Sequence, residues 1–296
     1  MKVDQRGLDA IEVKIRRAKD HLGILHREMT TWDERSRTGN GTWGLMPEVH
    51  DEGRKHFFRL RFTEPFPVDW AVVLGEALHD LRSALDQCVY WLTVDWSGHD
   101  PGGTAFPVCK SKAHFYERHS KGPHKGEWTR TSGIFKVRGI GPEPLAFIER
   151  LQPYPQRRHF SCWEIRTLND LWNQDKHRLV HLWGLRFDYG ELRLLKEVAA
   201  DSYIGVDRRV LHDGAIPVKV LCGTPHQQVK VKGAIGANIS FLAGKSVGGP
   251  SRNFWDLAVT IEDVIRKLLK SVGNQTTPIN ASVWSVRPAA AGRLEA

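Results

Sequence analysis

Four stretches of the chain repeat their apolar residues every three or four positions and a fifth abandons that spacing, so helices and strands must occupy separate parts of the fold. In residues 5–29, Leu8, Ile11, Ile15, Leu22 and Leu25 keep helical steps with charges between them. Residues 69–94 and 162–180 read the same way, and 253–271 sets Phe254, Leu257, Ile261, Val264 and Leu268 on one stripe. Between the third and fourth helices, residues 182–242 change to β-rich runs such as IPVKVLC, QVKVKG and ANISFLA, punctuated by Asp213-Gly214 and Gly223. An earlier hairpin is expected at 43–49 and 55–62, turning at Asp51-Glu52-Gly53. The expected class is α+β: a bundle of about four long helices with an antiparallel β-sheet lobe inserted before the last helix.

No Gly/Ser linker divides the chain, so a single composite domain over 1–273 is expected. Its helical part covers about 1–181 plus 253–272 and its β lobe about 182–242, with 274–296 as a loosely ordered tail. Two helix starts carry local signals. Asp69 can accept from the orphan amides of a first turn as N-cap, and Ser161 with Glu164 has the spacing of a capping box.

With 296 residues, 41% of them hydrophobic and 26% charged, the chain can bury a full core and is not of the disordered class. No run approaches the roughly 18 apolar residues of a membrane span, and the first twenty residues are charged where a secretory leader needs an apolar core. A cytoplasmic location without membrane partners is expected. Cys88, Cys109, Cys162 and Cys222 are too widely spaced for a CxxC site or a disulfide framework and read as free thiols.

The net charge of +9 favours polyanions, and it is unevenly distributed. Residues 110–138 hold eight Lys or Arg against two Glu, which is +6 in one segment. Lys121, Lys125, Trp128 and Arg130 interleave cations with an aromatic, a composition that can neutralise phosphates and stack on bases. The same composition also suits a solvated loop pinned to the core by its rings.

Titratable groups concentrate on two helices. At about 100° per residue, Glu76, His79, Arg82 and Asp86 share one polar strip opposite Leu74, Ala77, Leu81 and Leu85. On the third helix Asp175 falls inside the apolar sector formed by Leu168, Leu171 and Trp172. A carboxylate there must be paired or hydrogen bonded, with Arg82 or His79 as the natural partner. His177 and Arg178 leave that interface if the helix persists, and Lys176, His177 and Arg178 then read as cations complementing a helix C-terminus.

The motifs GEALHDLRSALDQ at 75–87, AFPV at 105–108, LQPY at 151–154 and LNDLWNQDKHR at 168–178, in this order, resemble a bacterial family of hypothetical proteins of similar size. Members usually carry Asn at the position of Asp80 and often His at that of Gln87. The resemblance implies the location of a site, around His79, Arg82, Asp86, Asp175, His177 and Arg178, and no mechanism. The Arg-x4–6-His signature of HEPN ribonucleases is met only by Arg16 to His21 and Arg118 to His124, both outside these helices.

Three functional readings follow. In the first, RNA is cleaved without metal: His79 and His177 act as acid and base, Arg82, Lys176 or Arg178 stabilises phosphate charge, and Asp175 or Asp86 orients an imidazole. In the second, the polar cluster is a structural clamp in a binding or assembly protein that meets RNA, another polyanion or a second copy of itself. The third is a metal site of Glu76, His79 and His177, which lacks a second ExxH motif. No cofactor is expected. GKS at 244–246 has Ile239 where a P-loop needs its first Gly, and GAIGA at 233–237 is not GxGxxG.

Overall fold

The apolar spacing that begins at residue 5 becomes α1, Gln5–Arg37, with Ile11, Ile15, Ala18, Leu22 and Leu25 buried along one face. The computed structural model describes residues 4–37, 41–155, 160–177, 182–189, 193–194, 201–207, 210–226, 229, 231–232, 235–241 and 254–271. The helix outlasts the expected end at 29, because Trp32 is buried against Phe62, Phe66 and Trp70 and so ties another two turns to the core.

The hairpin forms as expected from β1, Trp43–His50, and β2, Lys55–Phe62, in antiparallel register from Trp43 opposite Phe62 to His50 opposite Lys55. Next comes α2, Val68–Ser97, whose N-cap is Pro67. Asp69 lies instead in the first turn, where its carboxylate still complements the positive end of the helix dipole. Gly98 closes α2 in the left-handed region, φ 72°, with its amide on the Val94 carbonyl.

Short helices α3, Lys112–Phe115, α4, Gly133–Lys136, and α5, Pro142–Arg150, lead to α6, Phe160–His177. Ser161 is the second residue of α6 and, like Glu164, is buried. The β-rich stretch supplies β3 (Leu182–Tyr189), β4 (Arg193–Leu194), β5 (Ser202–Val206), β6 (Val210–Leu211), β7 (Val218–Cys222), β8 (Val231–Lys232) and β9 (Ile235–Phe241). Helix α7, Phe254–Lys270, follows. The tail expected to be loose, 274–296, lies outside the described residues.

The fold is α+β, and one feature of its layout differs from expectation. The largest sheet has the order β1-β2-β7-β5, all antiparallel, so the early hairpin joins strands that follow α6. The open edge of β2 needs a partner for its backbone groups, and β7 supplies it across more than 150 residues. Its inner face carries Leu60, Val218, Val220 and Cys222, which are buried. A second sheet orders β6-β3-β9, and β4 pairs β8.

Helices α1, α2, α6 and α7 share one apolar core that runs from Ile11 to Leu269. Charge contacts to two buried acids pin α1 within it. Lys19 donates to Glu262 of α7, and Asp80 of α2 faces Lys14 at 3.7 Å and Arg17 at 3.4 Å. Burial would raise the Glu262 carboxyl, but hydrogen bonds from Lys19 and Arg266 hold it below the usual carboxylate range.

Candidate functional site

Helices α2 and α6 pack against each other, and from the polar strip of α2 it is Arg82 that reaches across to α6. Arg82 is only 5% exposed. Its guanidinium grips Asp86 with two hydrogen bonds, Nε to Oδ2 at 3.1 Å and Nη2 to Oδ1 at 2.9 Å. Nη2 also donates to the Phe106 carbonyl at 2.6 Å and Nη1 to Asn169 Oδ1 of α6 at 3.5 Å, while the Trp172 ring lies 5.1 Å away. Asp86 returns the contact by accepting the Phe106 amide at 2.9 Å.

The Arg82–Asp86 pair thus holds both polar backbone groups of Phe106, whose ring is fully buried. Residues beyond Phe106 are held from the other side. The buried Gln152 amide accepts from Cys109 N at 2.9 Å and donates to the Pro107 and Ile148 carbonyls at 3.0 Å each. A buried extended segment cannot leave its amides and carbonyls unpaired, and these side chains replace the ladder that a strand would have had. All four sequence motifs therefore converge on one construction: α2, the AFPV segment, Gln152 of LQPY, and α6 locked together.

Asp175 meets α2 as its place on an apolar face demands, but it does not reach Arg82. It packs against Gly75, where a Cβ would lie 2.4 Å from Oδ1 and 2.7 Å from Cγ. A side chain at position 75 would force the Asp175 carboxylate to move. Burial raises the Asp175 carboxyl above its ordinary value, and charge on His79, one turn along α2, pulls it partly back. Among the described residues Asp175 has no hydrogen-bond partner, which leaves His79 as its electrostatic neighbour. The expected Asp175–Arg82 clamp is replaced by an Arg82–Asp86–Asn169 clamp, because an acid one turn away on the same helix reaches the guanidinium first.

His79 is exposed, and so are Lys176 and His177. Helix α6 continues through His177, which puts it about 200° around the axis from Asp175. The Lys176 ammonium covers the Trp172 ring at 3.2 Å. Arg178 and His181 lie outside the described residues. Glu76 faces His21 of α1 at 3.4 Å, and among the described residues no three His, Cys, Asp or Glu side chains converge as metal ligands. The Glu76, His79 and His177 set is not assembled.

The basic segment is an ordered excursion. Phe115 and Val137 are buried at its two ends, and Gly133 packs on the Phe115 ring. Between them Arg118 bridges Trp128, His119 N donates to the Glu127 carbonyl and Gly126 N to that of His119, each at 2.9 Å. Arg118 covers the Trp128 ring at 3.4 Å, Arg138 covers Phe135 at 3.7 Å, and Tyr116 donates to Glu149 at 2.7 Å. Burial and that carboxylate push the Tyr116 hydroxyl up to about 12. The rings are thus occupied by the protein's own side chains. Lys110, Lys121, Lys125 and Arg130 are exposed, and among the described residues their side chains have no ion pair.

No protein-family model matches this chain, and no curated protein or solved structure is significantly similar to it. The likeness read from the motifs between Gly75 and Arg178 rests on those residues alone. Sequence reasoning located Arg82 and Asp175 but missed Phe106, Gln152, Asn169 and Gly75, the groups that explain them. One signal was available: a glycine in mid-helix costs about 1 kcal/mol relative to Ala, so Gly75 marks a close approach.

Proposed function

We propose that this chain is a nucleic-acid-directed binding protein in which the α2–α6 cluster is a structural clamp and the segment 110–138 meets the phosphate backbone. The observation that carries the reading is how the cations are committed. Arg82 is buried and four of its five N–H donors are taken by Asp86, Phe106 and Asn169, so it is committed to the fold and not presented to a phosphate. Lys121, Lys125 and Arg130 stand exposed on an anchored excursion, where neutralising phosphates releases condensed counterions.

The test is the affinity for a short labelled oligouridine measured across a salt series. Binding should weaken as salt rises, and the Lys121→Ala/Lys125→Ala double variant should flatten the log–log slope by about 1.4, at about 0.7 per lost phosphate contact on a single strand. Salt-independent binding, or none, removes the proposal.

A second reading, metal-independent RNA cleavage, is favoured by one observation. Asp175 is a carboxylate partly withdrawn from water, without a hydrogen bond among the described residues, beside the exposed imidazole of His79. Such a pair can orient and tune a general base. Cleavage of single-stranded RNA that survives chelator and disappears in His79→Ala supports it. Wild-type protein that leaves RNA intact excludes it.

A further inference from the structure

The sheet β1-β2-β7-β5 has a second face, and nothing described above uses it. Because strand residues alternate sides, the register that sends Leu60 and Val220 inward sends Phe57, Lys219 and Tyr203 outward. On this face Tyr203 is 67% exposed and Leu221 44%, and Met46 is likewise open. The His50 ring lies 4.9 Å from that of Phe57, and the Lys219 ammonium 5.7 Å from it on the other side. Lys55 and Arg59 flank Phe57 along β2, and Arg61 follows one step further on the same face.

Charge selects the occupant. Lys55, Arg59, Arg61 and Lys219 project from this face against one acid, Glu48, which is neutralised by a two-toothed hydrogen bond from Arg59 at 2.6 and 2.8 Å. That guanidinium holds the Glu48 carboxyl down to about 2, so the acid stays ionised and committed. Asp51 and Asp213 reach in from turns to Lys55 and Arg61 at 3.1 and 3.4 Å, exposed pairs of the weak kind that a phosphate can displace. Lys219 has no acid partner among the described residues. Opposite it the sheet carries Gly205, and a hollow of about 300 Å³ opens between them, lined also by Val206, Asp207 and Ile216.

We infer that this outer face is a stacking platform for single-stranded nucleic acid, a deepening that rests on the nucleic-acid reading proposed above. Tyr203 and Phe57 are two strands apart and two residues out of step, roughly 12 Å by strand geometry, so that one unpaired base can stack on the open Tyr203 ring while another of the same strand lies against the His50–Phe57 stack. Lys219 stands opposite Phe57 and Lys55 stands in the row of Leu221 and Tyr203, beside the path on which the connecting phosphates pass. Flat rings on an open sheet with cations between them provide affinity for any exposed base face, without reading its edge. Trp128 and Phe135 of the 110–138 segment offer no comparable ring, because Arg118 and Arg138 cover them, whereas Tyr203 is open.

The experiment is fluorescence anisotropy of labelled oligouridine with the full chain, together with photo-cross-linking of iodouridine in the same oligonucleotide. Tyr203→Ala and Lys219→Ala should each weaken binding at least fivefold with unchanged thermal melting, since both side chains are exposed. Tyr203→Phe should bind like wild type, because stacking needs the ring and not the hydroxyl. Unlabelled single strand should compete better than duplex, and cross-links should fall on the peptides holding Phe57 and Tyr203. If Tyr203→Ala and Lys219→Ala bind normally, or cross-links fall only within 110–138, the platform is refuted while the nucleic-acid reading stands. If wild type shows no salt-dependent binding at all, both fall. Self-association that Tyr203→Ala abolishes, without RNA binding, assigns the face to a second copy and also overturns the platform.

Discussion

Arg82 over Trp172 and Arg118 over Trp128 are the same pair of residue types in the same kind of contact, at 5.1 and 3.4 Å. What they can do differs because of burial. Arg82 lies between two helices, and every charge-assisted hydrogen bond it makes is to a protein group that would otherwise be orphaned. Arg118 lies in an exposed loop at an isolated bridge to Trp128, donates to the Gly126 carbonyl, and covers the Trp128 ring. The first region converts its charges into cohesion. The second keeps neighbouring charges, on Lys121, Lys125 and Arg130, free for a partner.

The comparison breaks most easily at Arg82. Arg82→Ala should cost about 3–5 kcal/mol in urea unfolding, because it leaves Asp86 and the Phe106 carbonyl without their partner in a confined space. A loss under 1 kcal/mol would mean that the guanidinium is not a clamp and would return it to the list of phosphate-binding groups.

Gly75→Ala should cost about 1–3 kcal/mol by forcing the added methyl against the Asp175 carboxylate. In a double-mutant cycle with Asp175→Ala the two losses should not add, since removing the carboxylate vacates the space the methyl needs. Additivity would separate Gly75 from Asp175.

Acid titration sharpens the contrast between two buried carboxylates. The folded value of Glu262 is held below its ordinary 4.5, so its stabilising contribution is complete above that pH and is lost as pH falls through the lower folded value. Glu262→Gln should therefore flatten the acid limb of a stability–pH curve. Asp175 has the opposite sign. Its folded value is raised above 3.8, so stability falls as pH rises through that value. Asp175→Asn should give a small gain at neutral pH that vanishes below pH 3.8, and a loss at neutral pH would show that the charge is stabilising after all.

The smallest stability effect is expected in the exposed region. Lys121→Ala/Lys125→Ala should leave unfolding free energy within about 0.5 kcal/mol of wild type while it weakens RNA binding. A clear destabilisation would mean that these lysines belong to the fold and not to a binding surface.

Much of this molecule was legible from the chain itself. Apolar spacing specified where the helices of residues 5–37, 68–97, 160–177 and 254–270 lie, since a helix must turn one face to the core whatever it packs against. Turn residues specified the β1–β2 hairpin, and an acid on an apolar stripe announced that Asp175 needed a close approach to another element. These are properties of one segment and its own periodicity.

The tertiary structure decided everything that depends on which distant groups arrive first. It gave Arg82 to Asp86 and Phe106 and left Asp175 with Gly75 and His79. It joined the early hairpin to β7 and β5, and so created the open face that carries Phe57, Lys219 and Tyr203. No local pattern encodes these outcomes. Strand pairing and buried-charge partnering are settled by competition among groups far apart in sequence, and each backbone or charged group must be satisfied once water is excluded.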